Sequence, residues 1–141
     1  MPLIRLIYRS QNAIAVAGNR ILIHYHDIVS RARERNARQD ISGFLMFDRH
    51  RYYQILEGET ALVDALYDRI KTDPRHTNIE TLHRQEITKR GFPDWSMGSF
   101  LSEGQSHPLQ NKHGILPNAP IDGERFLAFA LEFVSNEPDA V

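Results

Sequence analysis

Three polar side chains interrupt apolar patterns in this 141-residue chain: Tyr8, Asn36 and Gln54. Tyr8 closes the alternating run "LIRLIY", Asn36 falls on the apolar stripe of a helical repeat, and Gln54 stands in the middle of "RYYQIL". A phenol can give up one electron and becomes strongly acidic once it has, so electron and proton can leave together. A primary amide carries an acceptor oxygen and a donor NH₂ on one sp² centre, so rotation or tautomerisation exchanges what it offers a neighbour. A buried amide without partners costs roughly 1–3 kcal/mol, so Gln54 must find some. Each residue also has an ordinary explanation. Tyrosines pack in cores with the hydroxyl reaching a surface partner, Asn36 can cap the end of its helix, and Gln54 can bond to the backbone.

The elements that must position these residues follow from periodicity. Residues 3–8 alternate, with Ile4, Leu6 and Tyr8 on one side and Arg5 on the other, which predicts a first strand. Gly18 and Asn19 supply an N-cap candidate, and from Arg20 the residues Ile21, Tyr25, Ile28, Ala32 and Asn36 form one helical stripe. "ISGFLMF" (41–47) and "RYYQIL" (51–56) read as a hairpin joined at "DRH", with the second strand broken at Gly58 and Glu59. Leu62, Leu66 and Ile70 predict a second helix, stopped by Pro74. Residues 78–88 predict a fourth strand and "DWSMGSFL" (94–101) a fifth, on which Trp95 and Met97 share parity and therefore one side of the sheet.

The order βαββαβ plus an extra strand is that of an α+β, ferredoxin-like sheet. In that topology strands one and three are central neighbours, so Tyr8 and Gln54 stand side by side on a face that two helices cover. Residues 102–121 lack periodicity and predict a long loop that packs over something or moves. Phe126, Phe129, Ala130 and Phe133 predict a short helix on the opposite face of the sheet. The chain thus divides into a sheet-and-helix unit over residues 1–101 and a C-terminal loop and helix over 102–141 that pack on the sheet.

Composition excludes several classes. Seventeen basic against eighteen acidic side chains give a net charge of −1, with no pull toward nucleic acid or an anionic membrane. Cysteine is absent, which removes disulfide, thiolate and Cys-ligated metal chemistry. The first ten residues lack the apolar core of a signal peptide, and "FLAFALEFV" is too short to span a bilayer, so the expected location is the cytoplasm. "HYH" (24–26) faces two ways on a helix, so no metal site is expected there. "RARERNAR" is basic but interrupted by Glu34 and reads as a solvated helix face.

The segments "LIYRSQ", "RERNARQDISGFLMF", "YYQILEG", "DPRH" and "RGFPDWSMG" occur in an order and spacing that resemble the BLUF family of blue-light sensors using FAD. The resemblance implies a flavin held between the two helices. It implies that Tyr8 is the electron donor and Gln54 the amide bridging it to the flavin, with Asn36 bonded to the ring. Ile28 and Ile70 resemble the aliphatic residues that sandwich the ring, while Arg69, Asp73 and His76 resemble residues at the ribityl chain and phosphate. Arg35 stands where the family often carries another asparagine or a histidine touching the ring, so one ring hydrogen bond is either missing or made by a guanidinium. Trp95 and Met97 resemble a pair that carries the signal out.

The function so implied is photoreception without an enzymatic step, signalled through strand five to a separate downstream protein or by self-association. The alternative from another class is a small ferredoxin-like enzyme, of monooxygenase or phosphatase type, with no light role.

Overall fold

A computed structural model describes residues 2–13, 20–48, 50–102, 107–116 and 119–136, with the side chains of residues 20–22 left out. The Gly18–Asn19 cap and the Ile21 side chain expected above lie outside these described residues. The elements are β1 (Leu3–Asn12), α1 (Arg20–Arg38), β2 (Ser42–Phe47), β3 (Arg51–Glu59), α2 (Thr60–Lys71), β4 (His76–Ile87), β5 (Gly98–Leu101), α3 (Pro108–Lys112) and α4 (Gly123–Asn136). They build one sheet in the order β4-β1-β3-β2-β5, the ferredoxin-like arrangement with a fifth strand added parallel to β2.

The central position of β3 explains its composition. Both of its faces are covered, so seven of its nine residues are buried. Tyr52, Leu56 and the intervening Gln54 face α1 and α2, whereas Tyr53, Ile55 and Glu57 face α4. Gly43 lets β2 approach this crowded strand: a Cβ there would sit 1.8 Å from the Ile55 carbonyl oxygen. On the first face Tyr25, Val29 and Ala32 of α1 and Val63, Leu66 and Tyr67 of α2 close over Ile4, Leu6 and Tyr8. On the second, Phe126, Phe129, Ala130 and Phe133 of α4 cover Ile7, Phe44 and Tyr53. Asp122 starts α4 by accepting the Arg125 amide on its side-chain oxygen at 2.8 Å, an N-cap bond.

Several local expectations are corrected. β3 continues through Gly58, opposite Ile4, to Glu59, because pairing with β1 outweighs the low strand propensity of glycine. On α2 the buried stripe is Val63, Leu66 and Tyr67, and Leu62 and Ile70 flank it half-buried. The stretch 102–121 contains α3, started by His107, whose side chain accepts from Leu109 N, and closed by Gln110 reaching back to the His107 amide. β5 begins at Gly98, so Trp95 and Met97 precede it and strand parity does not apply to them. Trp95 packs with the α4 face and Met97 with the α1/α2 face.

Candidate functional site

Tyr8 and Gln54 are direct partners in the β1–β3 ladder, and Leu45 flanks Gln54 from β2. Antiparallel opposites project to the same face, which brings phenol and amide together. The Tyr8 hydroxyl donates to Gln54 Oε1, with the two residues only 3% and 4% exposed. Gln54 Nε2 in turn donates to Met97 Sδ at 3.6 Å. Both ends of the amide are therefore engaged, one by a hydroxyl and the other by a weak thioether acceptor.

Above this pair a cleft of about 540 Å³, counting its open mouth, lies between the helices. Tyr8, Leu45, Tyr52 and Gln54 line it from the sheet, Ile28 and Ala32 from α1, and Ile70 from α2. Arg31, Arg35, Asp73, Arg75 and His76 supply its polar lining.

The polar groups are tightly arranged. Arg75 forks onto Asp73, donating from Nε at 3.0 Å and from an Nη at 2.6 Å, while its amide donates to the same carboxylate at 2.9 Å. These bonds hold the Asp73 carboxyl below its ordinary pKa. His76 Nε2 donates to the Ile70 carbonyl at 2.7 Å, which leaves Nδ1 to accept from the Ser10 hydroxyl at 2.8 Å. The imidazole thereby pins the last turn of α2, where Ile70 stands. Burial raises the Tyr8 phenol far above its ordinary pKa, and the nearby Arg35 charge only partly opposes this. Burial likewise pushes Tyr52 up to about 12. Both phenols are neutral at physiological pH.

Of the residues expected here, Tyr8, Ile28, Arg35, Gln54, Ile70, Asp73 and His76 converge on the cleft. Asn36 is fully buried but lies off it: Nδ2 donates to the Ser96 carbonyl at 3.0 Å and Oδ1 accepts from Arg35 Nε at 3.4 Å. Arg69 is exposed and also lies off the cleft, acting on it through its charge on Arg35. Arg31, Leu45, Tyr52 and Arg75 line the cleft and escaped the sequence reading. Arg31 was findable one helical turn before Arg35, and Tyr52 two residues before Gln54 on the same strand face. Arg75 lies inside the quoted "DPRH", and Leu45 follows from the hairpin register.

Residues 3–98 match the family model described as sensors of blue-light using FAD. The chain belongs to the BLUF family. The photoactivated adenylate cyclase subunit beta of Euglena gracilis is 39% identical over 77 residues, which cover 54% of this chain and 9% of that protein. The blue light- and temperature-regulated antirepressor BluF of Escherichia coli (strain K12) is 36% identical over 95 residues, 67% of this chain and 23% of that protein. The chain thus spans less than a quarter of the length of either curated relative. The structure is similar to the dark-state structure of BlrB, a BLUF protein, with TM-score 0.79 and 28% identity over 96% of this chain and 97% of that one.

As a BLUF protein the chain is a blue-light sensor and its cofactor is FAD. The light-independent enzyme considered above gives way to this assignment. The cleft fits the group: apolar side chains on both helices suit a flat ring system, an amide on the sheet suits ring carbonyls and nitrogens, and guanidinium groups suit phosphate.

Proposed function

We propose that Tyr8 and Gln54 are the photochemical pair of this BLUF sensor. Bound FAD supplies the light absorption and, once excited, the oxidant for a neighbouring phenol. Tyr8 meets the requirement for that phenol: it lines the cleft and is neutral in the dark. When an electron leaves the ring, the hydroxyl becomes strongly acidic, and Gln54 Oε1 already accepts its hydrogen bond. The proton moves along that bond. When the electron returns, Tyr8 regains a proton from Gln54. Loss of the Oε1 proton leaves a rotated amide, and loss of an Nε2 proton leaves the imidic form. Either turns a different donor and acceptor set into the cleft. The observation that carries this reading is the direct Tyr8 Oη–Gln54 Oε1 bond within the cleft lining. The soft contact of Nε2 with a thioether supports it, since the amide is held firmly at one end only.

Around this pair Ile28 and Ile70 would flank the ring from the two helices, and Arg35, Arg75 and Asp73 would hold the polar end of the cofactor. Residues 1–101 would form the sensing unit, and of the segment after it α4 packs on the opposite face of the sheet. Trp95 and Met97 connect the two sides. The chain itself carries no catalytic step in this reading. In support, the cleft's reactive side chains are engaged with one another, Arg75 with Asp73 and His76 with Ser10 and a carbonyl. The output passes to a separate effector. A cytoplasmic location fits a cysteine-free chain in which, among the described residues, no helix is long and apolar enough to cross a membrane.

The test is the difference spectrum of the FAD-loaded protein under blue light. The native protein should shift reversibly to the red, and Gln54→Leu should keep its pigment but lose the shift. An unchanged photocycle in Gln54→Leu removes Gln54 from the mechanism.

A further inference from the structure

The carbonyls of residues 95 to 97 are each taken by a different donor. The Trp95 carbonyl accepts from the Gly43 amide at 2.9 Å, that of Ser96 from Asn36 Nδ2 at 3.0 Å, and that of Met97 from Arg33 Nε at 3.0 Å. Ladder pairing of this segment with β2 starts only at Gly98, opposite Phe44. The main chain of Met97 is therefore tethered by a side chain of α1 just before the strand begins.

Arg33 belongs to the basic run that reads as a solvated face, in which Arg31 and Arg38 form ion pairs along the helix, with Asp27 and Glu34 respectively. Arg33 instead reaches across to a carbonyl, where a cationic donor makes a stronger bond than a neutral one. The residue it holds is fully buried, and its Sδ is the acceptor for Gln54 Nε2 at 3.6 Å. Met97 is 0% exposed, so close packing restricts its torsions and a shift of its main chain carries the sulfur with it.

We infer that Arg33 is a positioning residue for the light switch. From α1 it fixes the Met97 main chain, and through the Met97 thioether it sets the resting orientation of the Gln54 amide. This rests on the reading of Gln54 as the switching group. Loss of the Arg33 tether frees the sulfur to wander, and the amide then regains its resting partner more slowly after illumination.

The experiment is a double-mutant cycle on the full, FAD-loaded chain, read by the rate of thermal return to the dark spectrum. Arg33→Met should slow the return about threefold or more, in the range expected for residues coupled in one hydrogen-bond network. Arg33→Lys, which keeps a cationic donor, should restore most of the native rate, a rescue that a merely structural role would not give. In a Met97→Leu background Arg33→Met should have no further effect. A native return rate in Arg33→Met, or the same slowing with and without Met97→Leu, overturns the proposal. Should Arg33→Met not fold, Arg33→Gln closes the same cycle. Failure of the underlying photochemistry is seen separately, as a Gln54→Leu protein that still cycles.

Discussion

Trp95 and Met97 are two residues apart, yet one lies under α4 and the other touches Gln54 across the sheet. The Trp95 ring sits beside Phe44 and over Gly98, where an added Cβ would come within 2.4 Å of its Cε3. Absorption and fluorescence therefore report on different faces of one segment. Trp95 is the sole tryptophan of the chain, so its emission is assignable without ambiguity. Gly98→Ala is expected to displace the ring and change that emission while flavin binding stays native. Unchanged tryptophan emission in Gly98→Ala would show that the close approach is not maintained in solution.

Tyr8→Phe keeps the ring packed but removes the hydroxyl, which leaves buried Gln54 Oε1 without its donor. The expected cost is about 1–3 kcal/mol, measured by urea denaturation. Pigment should be retained and the red shift lost, because no phenol proton remains to travel. A variant with native stability would indicate that Gln54 finds another donor.

The tyrosines also set an alkaline limit on stability. Tyr8, Tyr25, Tyr52 and Tyr53 all have their pKa raised, in each case chiefly by burial. In the unfolded chain a phenol loses its proton near pH 10. The folded protein still holds these protons there, so above that pH it binds more protons than the unfolded state and stability falls as pH rises. The contribution is fully present below about pH 10 and is lost through the folded value of Tyr52, about 12. The urea midpoint should be lower at pH 11 than at pH 9, and Tyr52→Phe should reduce that difference. A midpoint that rises between these values would contradict the sign.

Arg75 holds the Asp73 carboxylate through a fork at the polar end of the cleft. Arg75→Ala removes that cation and leaves Asp73 to repel a phosphate-bearing ligand. FAD affinity should fall roughly tenfold, about 1.4 kcal/mol, when apo protein is titrated with the cofactor by fluorescence. High salt should narrow the gap between variant and native protein. Native affinity at low salt would place the phosphates away from Arg75.

What the sequence revealed depends on how regular the local structure is. Alternation located Tyr8 and Gln54 on one face because both lie inside long, paired strands, where period two holds without interruption. The same rule failed for Trp95 and Met97 because they precede β5, and a segment held by side chains of α1 and an amide of β2 has no fixed parity. The resemblance placed Asn36 at the ring, and helical spacing gives direction on a helix but not the partner chosen. Its amide takes a carbonyl from a segment sixty residues away, which no local pattern encodes. Arg75 was missed for a related reason: its role arises from a fork with Asp73 around Pro74, a turn geometry that composition does not announce.

Glu57 extends these tethers to the other side of the sheet. It lies three residues after Gln54 on β3, faces α4, and is 0% exposed. Its carboxylate accepts from Arg5 Nε at 2.8 Å and from the amides of Gly91 and Phe92 at 3.1 and 2.9 Å. The approach to Trp95 is thus anchored to the strand that carries Gln54. Glu57→Ala strands a guanidinium and two amide N–H groups and should cost about 3–5 kcal/mol, as expected when one member of a buried ion pair is removed. Glu57→Gln retains one oxygen but turns an NH₂ toward these donors, so a smaller loss of roughly 1–3 kcal/mol is expected. Amide exchange at Gly91 and Phe92 should quicken in both variants, more so in Glu57→Ala. If Glu57→Gln has native stability and native protection at these two amides, the carboxylate is not what holds the loop, and the order of the 91–97 segment must come from the packing of Phe92 and Trp95 against α4.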